Sequence, residues 1–141
     1  MTLYAESSAV LAWLLEQDRG PIVKRILAAS DLVVASDLTL IECDRALLRA
    51  TTFGRISSED QAERQKRLAT TAAFWGLLPI GGSIVERARQ PFPDDAIRSL
   101  DAIHLASALI ARPALGDLDI LSLDHRIRAT ATRLGFHVLP E

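Results

Sequence analysis

At 141 residues the chain has the length of one domain that buries most of the apolar surface exposed by its unfolded form. Hydrophobic residues make up 49% and charged residues 24%, with a mean hydropathy of +0.18, which excludes long disordered tails; a net charge of -2 and a pI near 5.9 exclude a global positive field for nucleic acid. The single cysteine, Cys43, excludes an internal disulfide, no second cysteine or close histidine pair suggests zinc, and no apolar run reaches a membrane-spanning length, so a cytoplasmic protein away from the membrane is expected.

The first segment, "TLYAE" (2–6), reads as a short strand, followed by a helix from Ser7 to about Glu16 with apolar Ala9, Leu11, Trp13 and Leu14 and with Ser7 or Ser8 as cap. Glu6 interrupts the apolar run, no basic segment precedes it and no small-residue cleavage site follows, so this start is read as part of the fold rather than as a signal. After Gly20-Pro21, "IVKRILAAS" spaces Ile22, Val23, Ile26 and Leu27 for a second helix, and "LVVAS" (32–36) is a buried strand. A third helix begins at Asp37 or Thr39, packs Leu40, Ile41, Leu47 and Leu48, turns Glu42 and Arg45 elsewhere, and ends at Gly54.

"SSEDQAERQKRLATTAAF" opens a fourth helix, with Ser57 or Ser58 as cap and acids in its first turn. "WGLLPI" is a short strand closed by Gly81-Gly82, "SIVERARQ" a short helix and "PFPDDA" a loop. A largely apolar helix runs from Ile97 to Ala111, with Pro113 as its stop. "LDILSL" (118–123) is a strand, "DHRIRATATRLG" a helix stopped by Gly135, and "FHVLP" a last strand. Strands separated by helices, with no hairpin signal, predict an α/β fold: a central parallel sheet of about five short strands with helices on both faces, formed by residues 1–141 as one unit.

Four acids stand at edges of apolar segments, where a carboxylate is costly unless compensated: Glu6, Glu42, Asp101 and Asp124. Glu6 and Asp124 lie at or just beyond strand ends, the rim where ligands bind in open parallel sheets. If the sheet brings all four together, the pocket calls for Mg²⁺ or Mn²⁺, whose hardness suits carboxylate oxygen, and metal-dependent phosphoester chemistry becomes the leading reading. Each acid also has a structural reading: Glu6 beside a helix N-terminus, Asp101 paired with Arg98, Asp124 as a helix cap, and Glu42 paired with Arg45 or Arg49.

The segments "RSLDAIHLASAL" (98–109), "SDLTLIECDRAL" around Glu42 and "ILSLDHRIRATATRLGFHVL" around Asp124 resemble those of the PIN-domain nucleases, in particular the VapC-type toxins of toxin-antitoxin pairs. The resemblance covers essentially the whole chain and implies a three-layer α/β/α fold. One departure stands at the metal site: the family usually reads Asp-Thr-Ser-Ala where this chain has Glu6-Ser7-Ser8-Ala9. The resemblance implies an endoribonuclease in which Glu6, Asp101 and Asp124 bind Mg²⁺, or Mn²⁺, with Glu42 holding a water or acting as general base. Ser8 and Ser122 would hydrogen-bond the metal's ligands or the phosphate. It also implies an RNA substrate, a small VapB-like antitoxin across the acidic pocket and a homodimer, and the helices at 9–15 and 22–29 are expected to form part of the antitoxin groove.

His104, one helical turn after Asp101, is read either as an orienting partner for that acid or as a hydrogen-bonded core histidine. Asp94, Asp95, Asp117 and Asp119 are read as solvated charges, with Asp119 a weak outsider for the pocket, and Trp13 and Trp75 as core. Arg45, Arg49, Arg55, Arg98, Arg126 and Arg128 form a weak signal for a phosphate path. Two alternatives stand beside the enzyme: a weak or inactive PIN-fold binding scaffold, because Glu6 replaces the usual Asp, and a Mg²⁺-binding phosphoacceptor domain, disfavoured by the lack of paired acids after the first strand.

Overall fold

The computed structural model describes the whole chain, Met1 to Glu141. Five strands, β1 (Thr2–Ala5), β2 (Leu32–Ser36), β3 (Gly76–Leu78), β4 (Leu118–Leu121) and β5 (Val138–Leu139), form one sheet in the order β3-β2-β1-β4-β5. Every neighbouring pair is parallel, with Tyr4 opposite Val34 on one side of β1 and Ala5 opposite Leu121 on the other. Seven helices accompany them: α1 (Ser7–Leu14), α2 (Gly20–Ala29), α3 (Asp37–Thr52), α4 (Ser58–Ala72), α5 (Gly82–Ala88), α6 (Ser99–Leu115) and α7 (His125–Arg133).

The period-two alternation of the strands splits the core into two layers. Leu3, Ala5, Val33, Ala35 and Leu121 face one side, where Ala9, Val10 and Leu14 of α1, Val23 of α2, Cys43 and Leu47 of α3 and Leu68 of α4 cover them. Tyr4, Val34, Leu118 and Ile120 face the other, beneath Leu105, Ala108 and Ala111 of α6 and Ile127 and Ala131 of α7. This is the three-layer α/β/α arrangement expected from the sequence. Gly20 opens α2 where α1 passes close behind it: a Cβ there would stand 2.6 Å from the Ala12 carbonyl oxygen.

Two of the element boundaries that differ from expectation have a clear physical reason. Glu6 leaves β1 and becomes the N-cap of α1: its backbone stays extended while its carboxylate accepts from the Ser8 N–H at 3.1 Å. Pro113 does not stop α6, which continues to Leu115. In the last turn a proline removes only one rung of the helix ladder, and the stop is Gly116, at φ +75°, whose N–H returns to the Arg112 carbonyl at 2.9 Å.

The chain runs from β1 outward through β2 to β3 and then returns to the other flank of β1 for β4 and β5. The direction of winding therefore reverses between β1 and β4. In an open parallel sheet the crevice beyond the carboxyl ends of two such strands is where ligands bind. Glu6 and Ser122 are the first residues past those ends, and the Glu6 N–H closes the junction on the Leu121 carbonyl at 3.0 Å.

Candidate functional site

Glu6 is buried at this reversal point, with 4% of its surface exposed. Its Oε1 accepts from the Ser8 N–H, and its Oε2 accepts from the Ser8 hydroxyl and from Ser122 Oγ at 2.7 Å. No lysine or arginine reaches it; the nearest basic atom is His104 Nε2 at 4.0 Å. Burial pushes its carboxyl above the ordinary carboxylate range, and His104 and the Ser8 and Ser122 bonds only partly offset that push.

Glu42, half-buried on α3, has the opposite balance. Burial also works against its charge, but hydrogen bonds from His104 and Ser7 outweigh burial and hold its carboxyl below the usual range. Ser7 Oγ donates to Glu42 Oε1 at 2.7 Å, and His104 Nε2 lies 2.5 Å from the same oxygen. His104, 2% exposed, rests with its other ring nitrogen 2.8 Å from the hydroxyl of Tyr4. The structure thus places His104 with Glu42 rather than with Asp101, and Glu42 with a histidine rather than with Arg45 or Arg49.

Asp101 and Asp124 both stand at helix N-termini, where carboxylates satisfy free N–H groups. Asp101, in the first turn of α6, accepts from the Arg98 backbone N–H at 3.3 Å. Asp124 caps α7 through the Ile127 N–H at 3.0 Å. Its own N–H donates to Ser122 Oγ at 3.1 Å, so one serine joins Asp124 to Glu6. Ser8 is drawn into the same knot, since its Oγ also accepts the Leu123 N–H at 2.9 Å. Hydrogen bonds therefore draw together Glu6, Asp124, Ser8 and Ser122 on one side and Glu42, Ser7 and His104 on the other. Asp101 reaches neither set directly and lies one turn before His104 on α6.

No three histidine, cysteine, aspartate or glutamate side chains stand close enough to share a metal ion in this arrangement. The donor chemistry nevertheless fits a hard divalent cation. The donors are carboxylates and hydroxyls, and Glu6 is a buried carboxylate with no strong cationic partner.

The lesser candidates resolve individually. Asp119 pairs with His137 at 3.4 Å and does not join the acids at the reversal point. Trp13 and Trp75 pack against the layer of α1–α4. Arg128 lines no phosphate path: its guanidinium donates to the carbonyls of Ser122 at 2.8 Å, Leu139 at 3.2 Å and Pro140 at 2.8 Å, fastening α7 to the ends of β4 and β5. Tyr4 was not marked for the site, and Ser7, read only as a cap, instead hydrogen-bonds Glu42 while Glu6 takes the cap. Strand alternation put Tyr4 on the face opposite Leu3, but its partner lies 100 residues away and no local pattern announces it.

Comparison with known proteins agrees with this architecture. The toxin VapC20 of Mycobacterium tuberculosis, described as cleaving the sarcin-ricin loop, superposes with a TM-score of 0.64 at 16% identity over 90% of this chain and 93% of its own. A toxin-antitoxin complex from Klebsiella pneumoniae gives 0.61 at 20% identity over 92% and 91%. VapBC2 of Rickettsia felis, bound to a DNA fragment from its promoter, gives 0.63 at 8% identity over 98% and 97%. No curated protein matches the chain. The family model for the PIN domain matches residues 3–134, so the acids at the β1–β4 reversal sit in a recognised frame: the chain belongs to the PIN domain family.

Proposed function

We propose that this protein is a divalent-metal-dependent endoribonuclease acting as the toxin of a toxin-antitoxin pair in the cytoplasm, with residues 1–141 working as one domain. The observation that carries this reading is Glu6, a buried carboxylate at the winding reversal of a PIN-domain sheet, tied through Ser122 to Asp124. Glu6, Asp101 and Asp124 are the residues that would hold the ion. Mg²⁺ or Mn²⁺ there supplies the charge that acidifies water and neutralises the phosphoryl oxygens of RNA. Glu42 is the general base: it has 28% of its side chain exposed and carries both of its hydrogen bonds on Oε1, so Oε2 is open to accept the proton of the attacking water. Ser8 and Ser122 fix the Glu6 carboxylate rather than meeting substrate first.

The partner proposed for the toxin is a small VapB-like antitoxin, and the working unit a homodimer. One observation favours a second reading, a PIN-fold scaffold without catalysis: three hydrogen bonds already hold the longer Glu6 side chain, and no metal-binding triad is assembled. Cleavage of a labelled pool of structured RNA by antitoxin-free protein, with Mg²⁺, Mn²⁺ or EDTA, separates the two. The nuclease cuts with metal, stops in EDTA, and loses at least 100-fold in rate on Asp101→Asn with its fold unchanged. An inert wild type with either ion supports the scaffold.

A further inference from the structure

We propose that His104, its ring locked by Tyr4, is the positioning residue for Glu42, binding one carboxylate oxygen and leaving the other to the reaction. The inference rests on the reading of Glu42 as the base. Tyr4 is fully buried, and its hydroxyl lies 2.8 Å from His104 Nδ1, where it can donate its proton to the ring. On the other side of the ring, Ser7 gives its proton to Glu42 Oε1, and its oxygen therefore faces His104 Nε2, 3.1 Å away, as an acceptor. Glu42 Oε1, which accepts from Ser7, faces Nε2 as an acceptor as well, 2.5 Å away. Two acceptors at Nε2 require a proton there, and with the phenol donating at Nδ1 the neutral ring is the Nε2–H tautomer.

The geometry then gives Glu42 a handedness. Both donors, Ser7 Oγ and His104 Nε2–H, land on Oε1, and no hydrogen bond within the protein reaches Oε2. Three elements build the clamp: β1 supplies Tyr4, the start of α1 supplies Ser7, and α6 supplies His104. A carboxylate on a helix surface has free rotamers, whereas this one is held on one oxygen by two groups that are themselves buried. His104 touches no substrate in this scheme and acts only through Glu42.

Two measurements test the clamp. In ¹⁵N-labelled protein free of added metal, two-bond ¹⁵N–¹H correlation of the histidine rings is expected to show His104 protonated at Nε2 and bare at Nδ1. Tyr4→Phe, which removes the lock, is expected to populate the Nδ1–H form. A wild-type ring protonated at Nδ1 overturns the proposal.

Kinetics then isolate the donor. In the Tyr4→Phe background, where no phenol is left orphaned, His104→Gln keeps an N–H near the Nε2 position and His104→Leu does not. For variants of equal melting temperature, the leucine variant is expected to lose at least tenfold in kcat with KM unchanged, and the glutamine variant to recover most of it. Equal kcat in the two, while Glu42→Gln is inactive, overturns the positioning role and leaves the nuclease reading intact. RNA left uncut by the wild type with Mg²⁺ and with Mn²⁺ overturns the nuclease reading and, with it, the role of the clamp in a reaction, whatever the tautomer.

Discussion

Glu6 is held in place at a cost. A carboxyl whose folded-state pKa lies above its unfolded value binds its proton more readily in the native protein, so it favours the fold below the ordinary carboxylate range. That contribution is lost as pH rises through the folded value. For the metal-free protein we predict that chemical unfolding followed against pH shows wild type losing stability relative to Glu6→Gln across that window. The glutamine variant should be the more stable on the alkaline side. Two parallel curves would mean that the hydroxyls of Ser8 and Ser122 fully compensate the buried charge. A divalent ion on Glu6 reverses the sign by favouring the ionised form, so adding Mg²⁺ to the wild type narrows the gap. Glu42 stands apart at this scale because its hydrogen bonds from His104 and Ser7 more than repay its partial burial.

The helices do double duty. Asp124 is at once the N-cap of α7 and a proposed ligand, and the two roles separate by substitution. Asparagine keeps an oxygen for the Ile127 N–H, whereas alanine leaves that donor free. Asp124→Ala is expected to lower unfolding stability by about 1 kcal/mol and Asp124→Asn by no more than a few tenths. Both should abolish cleavage if the charge is what the reaction needs. An asparagine variant with wild-type cleavage would reduce Asp124 to a cap. The same economy appears at α1, where Glu6 caps the helix it introduces, and at α6, where Asp101 serves the first turn. At α1 and α7 strand end, cap and candidate site share residues because these helices start almost directly after β1 and β4, whereas α6 follows α5.

Seen as a whole molecule, the protein also carries a hollow of about 540 Å³ beside the turn joining α1 and α2, lined by Trp13, Asp18, Lys24 and Arg67 among others. Most of its lining residues are polar or charged, with one large apolar anchor, Trp13, which half-emerges from the core layer. This is the region expected to receive part of the antitoxin. We predict that Trp13→Ala weakens binding of the cognate antitoxin by tenfold or more in calorimetric titration, with Trp13→Phe intermediate. An unchanged Kd for a folded alanine variant would move the partner to another surface.

Periodicity and turn residues were enough to lay out a parallel α/β chain, because strand alternation and helical spacing are local properties that burial on two faces enforces. Four acids at the edges of apolar segments, read with the family resemblance, pointed to a candidate site, since a carboxylate beside apolar neighbours is conspicuous in one dimension. Pro113 misled because the tolerance of a proline depends on its distance from the helix end, and the end was set by Gly116. The sequence by itself determined the alternation of elements, the two-sided core and the acids at strand ends and helix starts, because each depends on neighbours a few residues away. Only the tertiary structure decided which acid meets which partner. Ser122 bonds Glu6 across 116 residues and His104 meets Glu42 across 62, and such pairings follow from sheet order and register, which no local spacing encodes.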